Sequence, residues 1–367
     1  MNELKPKECV HKALLSSRSR FVGEYDHPNE PGVLVTHAWQ LGPDMYRNLG
    51  ESAFSQGFFV AAFSTQPVAK DRPLVVLPEY SCFGEFLAIH FSILYGKHFQ
   101  SLGLLESNGH FRVPTEFHLK PTALYSLPPY SHSPRGCVAT PLNLCEISRI
   151  RPLLEDTSAG SDIGRMLFTA GRFYNRALVE MEDQPELAYL DLVNSGEVIS
   201  NEQNIPDDAL YDDALKEVLL AIEKGLQDGD RIARMIRSRL YQVRRRFSLA
   251  LIGLLDDYFF NHHEAKEAFL ALKADAIEES LKAAYDLRSL YVHTGTQFGA
   301  WVKPLPHYAN EIQMGEPVMS DTSLKKLLVK APSLLGLERI IRYSLLKVAR
   351  EAGAILDDLF EDKEAEP

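Results

Sequence analysis

Arg288 and His293 stand five residues apart in the run Ala284-Tyr285-Asp286-Leu287-Arg288-Ser289-Leu290-Tyr291-Val292-His293-Thr294-Gly295. These two side-chain types suit phosphoryl chemistry without a metal. An imidazole can move the proton of a ribose 2′-hydroxyl, and a guanidinium can hold the charge that develops on the phosphorane. On an ideal helix over Ala276–His293, one apolar arc contains Ile277, Leu281, Ala284, Tyr285, Tyr291 and Val292, extended by Ala283, Leu287 and Leu290. Glu278, Lys282, Asp286 and Ser289 gather on the other side, whereas Arg288 falls near the centre of the apolar arc. An unpaired guanidinium costs several kcal/mol to bury, so something must compensate it. Two compensations are open: an acid from another helix, such as Glu197, or an anion met where the arc lines a cleft or an oligomer interface. His293 comes at the helix end, before the stop signal Thr294-Gly295. On a continued helix it would lie about 140° from Arg288. A helix ending at His293 frees the imidazole to turn, and two packed copies would also bring Arg and His together. The plainer account is a structural histidine, or a helix-end cation favoured by the dipole.

Around this pair, Ser289 is polar and able to bond phosphate, and Tyr291 lies between the two, suited to core packing or to phosphate. Glu197, in Asn194-Ser195-Gly196-Glu197, could orient His293 or pair with Arg288. A second basic feature lies between Arg231 and Arg246. If Arg231–Arg245 is one helix, then Arg231, Arg234, Arg237, Arg244 and Arg245 share an arc of about 140°, opposite Ile232, Ile236, Leu240, Val243 and Phe247. Such a stripe would bind an RNA backbone with salt-dependent, sequence-blind affinity. The competing account is neutralisation by the preceding acids Asp207, Asp208, Asp212, Asp213 and Glu217.

Other spacings carry less. His262-His263-Glu264 resembles a metal cluster, but neighbouring side chains on a helix point apart and no third ligand follows, so no metal and no cofactor is expected. Gly96-Lys97-His98 lacks the frame of a nucleotide-binding loop. Cys82 with His90 or His98, and the aromatics Trp39, Tyr80 and Phe83, read as structural. Arg20–His27 and Arg112–His118 repeat the loose Arg-to-His spacing on stretches that read as non-helical.

The elements that must position these residues fall into two textures. The chain has 367 residues, 45% hydrophobic and 24% charged, enough for a sizeable core and about two domains. Residues 1–155 hold 14 Lys+Arg against 14 Asp+Glu; subtraction from the totals of 39 and 50 leaves 25 against 36 in the remainder. The net charge of −11 therefore sits in the second half, and any nucleic-acid contact must be a local basic patch. Residues 1–155 predict an α+β domain, with strands at Val33–Thr36, Phe58–Phe63, Leu74–Leu77 and Gly136–Thr140, a helix at Phe83–Tyr95, and a proline-rich loop at Pro114–Pro141. A linker, Glu155–Ser161, leads into an all-α domain over 156–367. Its helices are predicted at Ile163–Glu182, Pro185–Ser200, Ala209–Gln227, Arg231–Arg245, Phe247–Phe260, Glu264–Leu272, Ala276–Val292, Ser323–Lys330 and Leu334–Leu359. A looser stretch spans Thr294–Asp321, and an acidic tail, Glu361–Pro367, closes the chain. The lack of any run of ~18 apolar residues or a secretory leader, and four scattered cysteines without a CxxC pair, predict a cytoplasmic protein with no membrane partner.

The run Ala284–Gly295 closely resembles the signature helix of Apea-like HEPN domains. Phe173-Tyr174-Asn175-Arg176-Ala177-Leu178, followed by Asp183-Gln184-Pro185-Glu186-Leu187-Ala188-Tyr189-Leu190-Asp191-Leu192-Val193, looks like that family's first two helices, and the resemblance covers about residues 160–350. It implies a HEPN-like helical bundle that forms a homodimer, with Arg288 and His293 as the active pair in a composite cleft. It further implies a metal-independent endoribonuclease acting on RNA, with a role in antiviral defence or stress-induced growth arrest, whose N-terminal domain targets or senses. Active members often carry Asn, Asp or His directly after the arginine, where this chain has Ser289. Some members are instead non-catalytic dimerisation or nucleotide-binding modules. The residues identify no regulatory ligand or protein partner.

Overall fold

The computed structural model describes residues 9–17, 21–27, 32–38, 57–65, 80–107, 110–111, 142–155, 162–181, 183–237, 242–303 and 310–360. The strands expected at Leu74–Leu77 and Gly136–Thr140, the proline-rich loop, the linker after Glu155, Trp39, Arg20, Arg112 with His118, and the acidic tail lie outside these residues. The fold divides into two compact units, Met1–Ala188 with Leu345–Pro367, and Tyr189–Ser344. The expected class holds: an α+β region built on an antiparallel sheet precedes a mostly helical second half. Among the described residues no helix is long and apolar enough to cross a membrane.

In the first unit, strands β1 (Cys9–Ser17), β2 (Phe21–Val22), β3 (Tyr25–His27), β4 (Val33–His37), β5 (Gly57–Thr65), β6 (Phe99–Ser107), β7 (His110–Phe111) and β8 (Leu142–Asn143) form two sheets. The larger has the order β3-β4-β5-β1-β6-β7, and β2 pairs with β8. β1 is antiparallel to both its neighbours. Helix α1 (Ser81–Tyr95) lies on the sheet and stops where Gly96 turns left-handed at φ 62°. Helix α2 (Asp162–Glu180) packs on α1 through Gly171, where a Cβ would stand 2.6 Å from Ile89 and 2.9 Å from Ile93. Asn175 ties these layers together: its Oδ1 accepts from Ser92 (2.8 Å) and its Nδ2 donates to the Phe99 carbonyl (3.1 Å).

His90 is buried in α1, with Nδ1 2.8 Å from the Phe86 carbonyl. Burial lowers its pKa to about 4, only partly offset by that carbonyl. The folded form thus binds fewer protons than an unfolded histidine at 6.5, so its contribution is complete above pH 6.5 and is lost as pH falls toward 4. The shift corresponds to about 3 kcal/mol. Urea unfolding of wild type should therefore lose more stability between pH 7.5 and 4.5 than that of His90→Leu; equal losses would remove His90 as the cause.

The helical unit corrects several sequence expectations. Its main helices are α3 (Pro185–Glu202), α4 (Asp213–Gly225), α5 (Gly229–Arg237), α6 (Val243–Leu254), α7 (Ile277–Thr294), α8 (Thr322–Lys330) and α9 (Leu334–Glu351), and the division between units falls within α3 and α9. The helix expected over Ala209–Gln227 breaks at Tyr211, because the Asp212 side chain accepts the Leu215 N–H and starts a new helix. The one expected over Phe247–Phe260 breaks likewise, with Asp256 capping Asp257–Asn261. The helix expected over Arg231–Arg245 is not continuous: α5 ends at Arg237, and Gln242 enters α6 at φ 41°. Glu264–Leu272 is not an α-helix; it holds one 3₁₀ turn, Ala268–Leu270, and two of its amides donate to the Glu311 carboxylate. The helix predicted to reach Leu359 stops at Glu351, near Gly353 at φ 100°.

Candidate functional site

Helix α7 opens with Glu278 and Glu279 in its first turn, where carboxylates favour the helix dipole. Ile277, Ser280, Leu281, Ala283, Ala284 and Leu287 form its buried face. At the far end, Gly295 adopts φ 70° and donates to the Tyr291 carbonyl at 2.8 Å, while Thr294 Oγ1 donates to the Leu290 carbonyl at 2.6 Å. The helix is therefore regular through Thr294. This corrects the idea that it ends at His293 and frees the ring to turn. His293 is exposed on the face about 140° from Arg288, and Val292, assigned to the apolar arc, is 52% exposed. Among the described residues, His293 has no hydrogen bond or ion pair.

Arg288 does lie inward, with a quarter of its side chain exposed. Its Nη2 donates to Glu197 Oε2 at 3.2 Å and to Asn194 Oδ1 at 3.3 Å. The guanidinium sits 5.8 Å from the Tyr285 ring centre, and its Nε is buried without an acceptor. Of the two roles open to Glu197, the structure shows the pairing with Arg288. Gly196 makes room for this arrangement: a Cβ there would meet Phe247 at 2.6 Å and Ile341 at 3.0 Å. The pKa of Tyr285 is raised by burial first and by the neighbouring Glu197 carboxylate next. Asn194 and Tyr285 are partners that the spacing argument passed over. Asn194 was accessible to it, because it precedes Glu197 by three residues and so shares its helix face.

The remaining candidates separate. The Tyr291 ring meets Phe298 edge-on at 6.1 Å, which is packing. Ser289 is half-buried on the side toward His293. The arginine stripe is divided between two helices, which corrects the single arc. Arg231 and Arg234 are exposed on α5, the Arg234 Nε donating to the Asp230 carbonyl, while Arg237 pairs with Glu223 at 2.6 Å. On α6, Arg244 pairs with Asp286 at 2.7 Å and Arg245 donates to the Ala209 carbonyl at 2.9 Å. Glu223 and Asp286 thus neutralise two of these arginines. His262 and His263 each place Nδ1 3.0 Å from a different carbonyl, those of Tyr258 and Ala265. Among the described residues no group of three or more His, Cys, Asp or Glu side chains is placed to hold a metal ion. Cys82 is exposed, whereas His90 is buried and bonded within its own helix, so they do not form a nucleophile and base.

What this centre can do follows from exposure. His293 can exchange protons with a ligand, and Arg288 presents one edge outward while Glu197 and Asn194 hold the other. From a single helix the two do not converge on one phosphate. No protein-family model matches this chain, and neither a curated protein nor a solved structure matches it.

Proposed function

We propose that the chain is a cytoplasmic, metal-independent endoribonuclease of the HEPN type, in which His293 of one copy and Arg288 of a second copy act on the same RNA phosphodiester. The observation that carries the reading is an exposed imidazole, without a partner among the described residues, on the same helix as a partly exposed arginine. Their opposed directions call for the second copy, which fits the dimer that the family resemblance implies. His293 takes the proton of the 2′-hydroxyl or returns one to the leaving 5′-oxygen, and Arg288 stabilises the charged phosphorane. The products would be a 2′,3′-cyclic phosphate and a 5′-hydroxyl. The sheet-bearing N-terminal part would target or gate the cut, in antiviral defence or growth arrest.

One observation favours a different reading. The Arg288–Glu197 pair already compensates the inward guanidinium, as a non-catalytic dimerisation or nucleotide-binding module would require. Incubating the purified protein with total RNA and tRNA in excess EDTA, and mapping the ends, separates the two. Cyclic-phosphate ends support the enzyme; intact RNA at every protein concentration favours the binding module.

A further inference from the structure

Asp286, Ser289 and His293 follow one another at intervals of three and four residues on α7. At 100° per residue, Asp286 and His293 lie about 20° apart on the helix surface, with Ser289 about 40° from His293. The row thus follows one side of the helix, and its ends are separated by about 10 Å of rise. Arg288 is turned away from it. The guanidinium that does reach the row comes from the neighbouring helix: Arg244 Nη2 stands 2.7 Å from Asp286 Oδ2.

The two arginines differ in availability. Half of the Arg244 side chain is exposed, against a quarter of Arg288. Arg288 gives one nitrogen to two acceptors and has another buried, whereas the ion pair of Arg244 is with a single carboxylate at the surface. A surface pair of that kind contributes little net stability, so a phosphate can take over the guanidinium at little cost. The other charges on this side of α7 are already matched, Lys282 with Glu278 at 2.7 Å and Glu279 with Lys330 at 2.7 Å.

We infer that Arg244, with Ser289, forms a phosphate subsite beside His293, which holds a neighbouring phosphate of single-stranded RNA and so seats the phosphodiester at the imidazole. Successive phosphates of an extended strand lie roughly 6–7 Å apart, so the row accommodates two of them. Arg244 is a substrate-binding residue in this arrangement, and the assignment rests on the ribonuclease reading only for the identity of the strand. Asp286 is the internal competitor that occupies the subsite when RNA is absent.

The test uses the full-length protein and a 2′-O-methyl RNA oligonucleotide, which binds but lacks the attacking hydroxyl. Affinity is measured at several salt concentrations. Loss of one phosphate contact on a single strand should weaken binding roughly fivefold near 0.1 M salt and reduce the log–log salt slope by about 0.7. Arg244→Gln should show both changes. Asp286→Asn should bind more tightly than wild type, the opposite sign. Lys325→Gln, which removes a cation of α8 that is paired with Glu316 and not with α7, should bind as wild type does. Arg244→Gln with unchanged affinity and slope overturns the subsite, as does wild type that does not bind the oligonucleotide. Equal weakening in Lys325→Gln also overturns it, by showing only a general charge effect. Cleavage is scored separately on unmodified RNA. Arg244-dependent binding without cleavage defeats the enzyme reading alone, and cleavage without Arg244 dependence defeats the subsite alone.

Discussion

Glu311→Ala should destabilise the helical unit by about 3–5 kcal/mol in equilibrium urea unfolding, the cost of removing one partner from a buried ion pair. Glu311 has only 3% of its side chain exposed, and its Oε1 lies 3.0 Å from Arg339 Nη1, itself on a side chain 8% exposed. That approach is a charge contact whose geometry is not that of a hydrogen bond. The hydrogen bonds of the carboxylate go elsewhere: Oε1 accepts the Glu264 N–H at 2.8 Å and Oε2 accepts the Leu272 N–H at 2.9 Å. Alanine would leave both amides and the guanidinium unmatched in the interior, and each orphaned donor costs about 1–3 kcal/mol. Arg339 keeps its Nη2 bonds to the Phe259 and His262 carbonyls and its place over the Phe259 ring at 3.8 Å, so it would remain buried. Glu311→Gln should cost less, because one carbonyl oxygen still accepts an amide. A loss below about 1 kcal/mol for alanine would show that water reaches these groups and that the 264–272 segment is held by other contacts.

This carboxylate also explains why Glu264–Leu272 was misread as a helix. Its composition, Glu264-Ala265-Lys266-Glu267-Ala268-Phe269-Leu270-Ala271-Leu272, has high helix propensity, but an acid 39 residues beyond Leu272 takes the Leu272 amide that a helix would use. Local preference loses to a distant partner that no window contains. The long helices α2, α3 and α7, and the short α8, were legible because each repeats apolar residues at helical spacing. The breaks inside other helical runs were carried by single caps, Asp212 and Asp256, that sit among many acids. In the sheet, β4 and β5 show apolar runs bounded by turn signals, whereas β1, paired with β5 and β6, shows only the short run Ala13-Leu14-Leu15. Its His11 is buried by bonding Ser107 (3.0 Å) and Thr65 (2.8 Å), and Lys12 pairs with Glu106. Polar residues satisfied across the sheet hide a core strand from pattern reading. β6 is interrupted as well, by Gly103 at φ 95°.

The site was legible to the same extent. Placing Arg288 on the apolar side of α7, and Glu197 as its acid, needed only the helical period and the cost of a buried charge. The direction of His293 needed the end of the helix to one residue, which depends on the Thr294 and Gly295 capping bonds. The Arg244–Asp286 contact joins two helices and has no signal in spacing at all.

His293→Ala should lower RNA cleavage by about 10²–10⁴-fold, the usual contribution of a positioned general acid or base. Its stability should change by less than about 0.5 kcal/mol, because the side chain is exposed and without partners among the described residues. Arg288→Ala should also abolish cleavage but differ in stability, since it leaves the Glu197 carboxylate, 20% exposed, without its cation. Mixing the two variants then tests the arrangement itself. In a symmetric dimer with sites shared between copies, a mixed pair regains one site built from the histidine of one chain and the arginine of the other. Random exchange should restore about a quarter of wild-type activity. Two sites each built within one chain would give no recovery, because every chain in the mixture lacks one of the two groups. Recovery would establish that opposed side chains on α7 act across an interface; its absence, with wild type active, would mean that His293 finds its cation within its own chain.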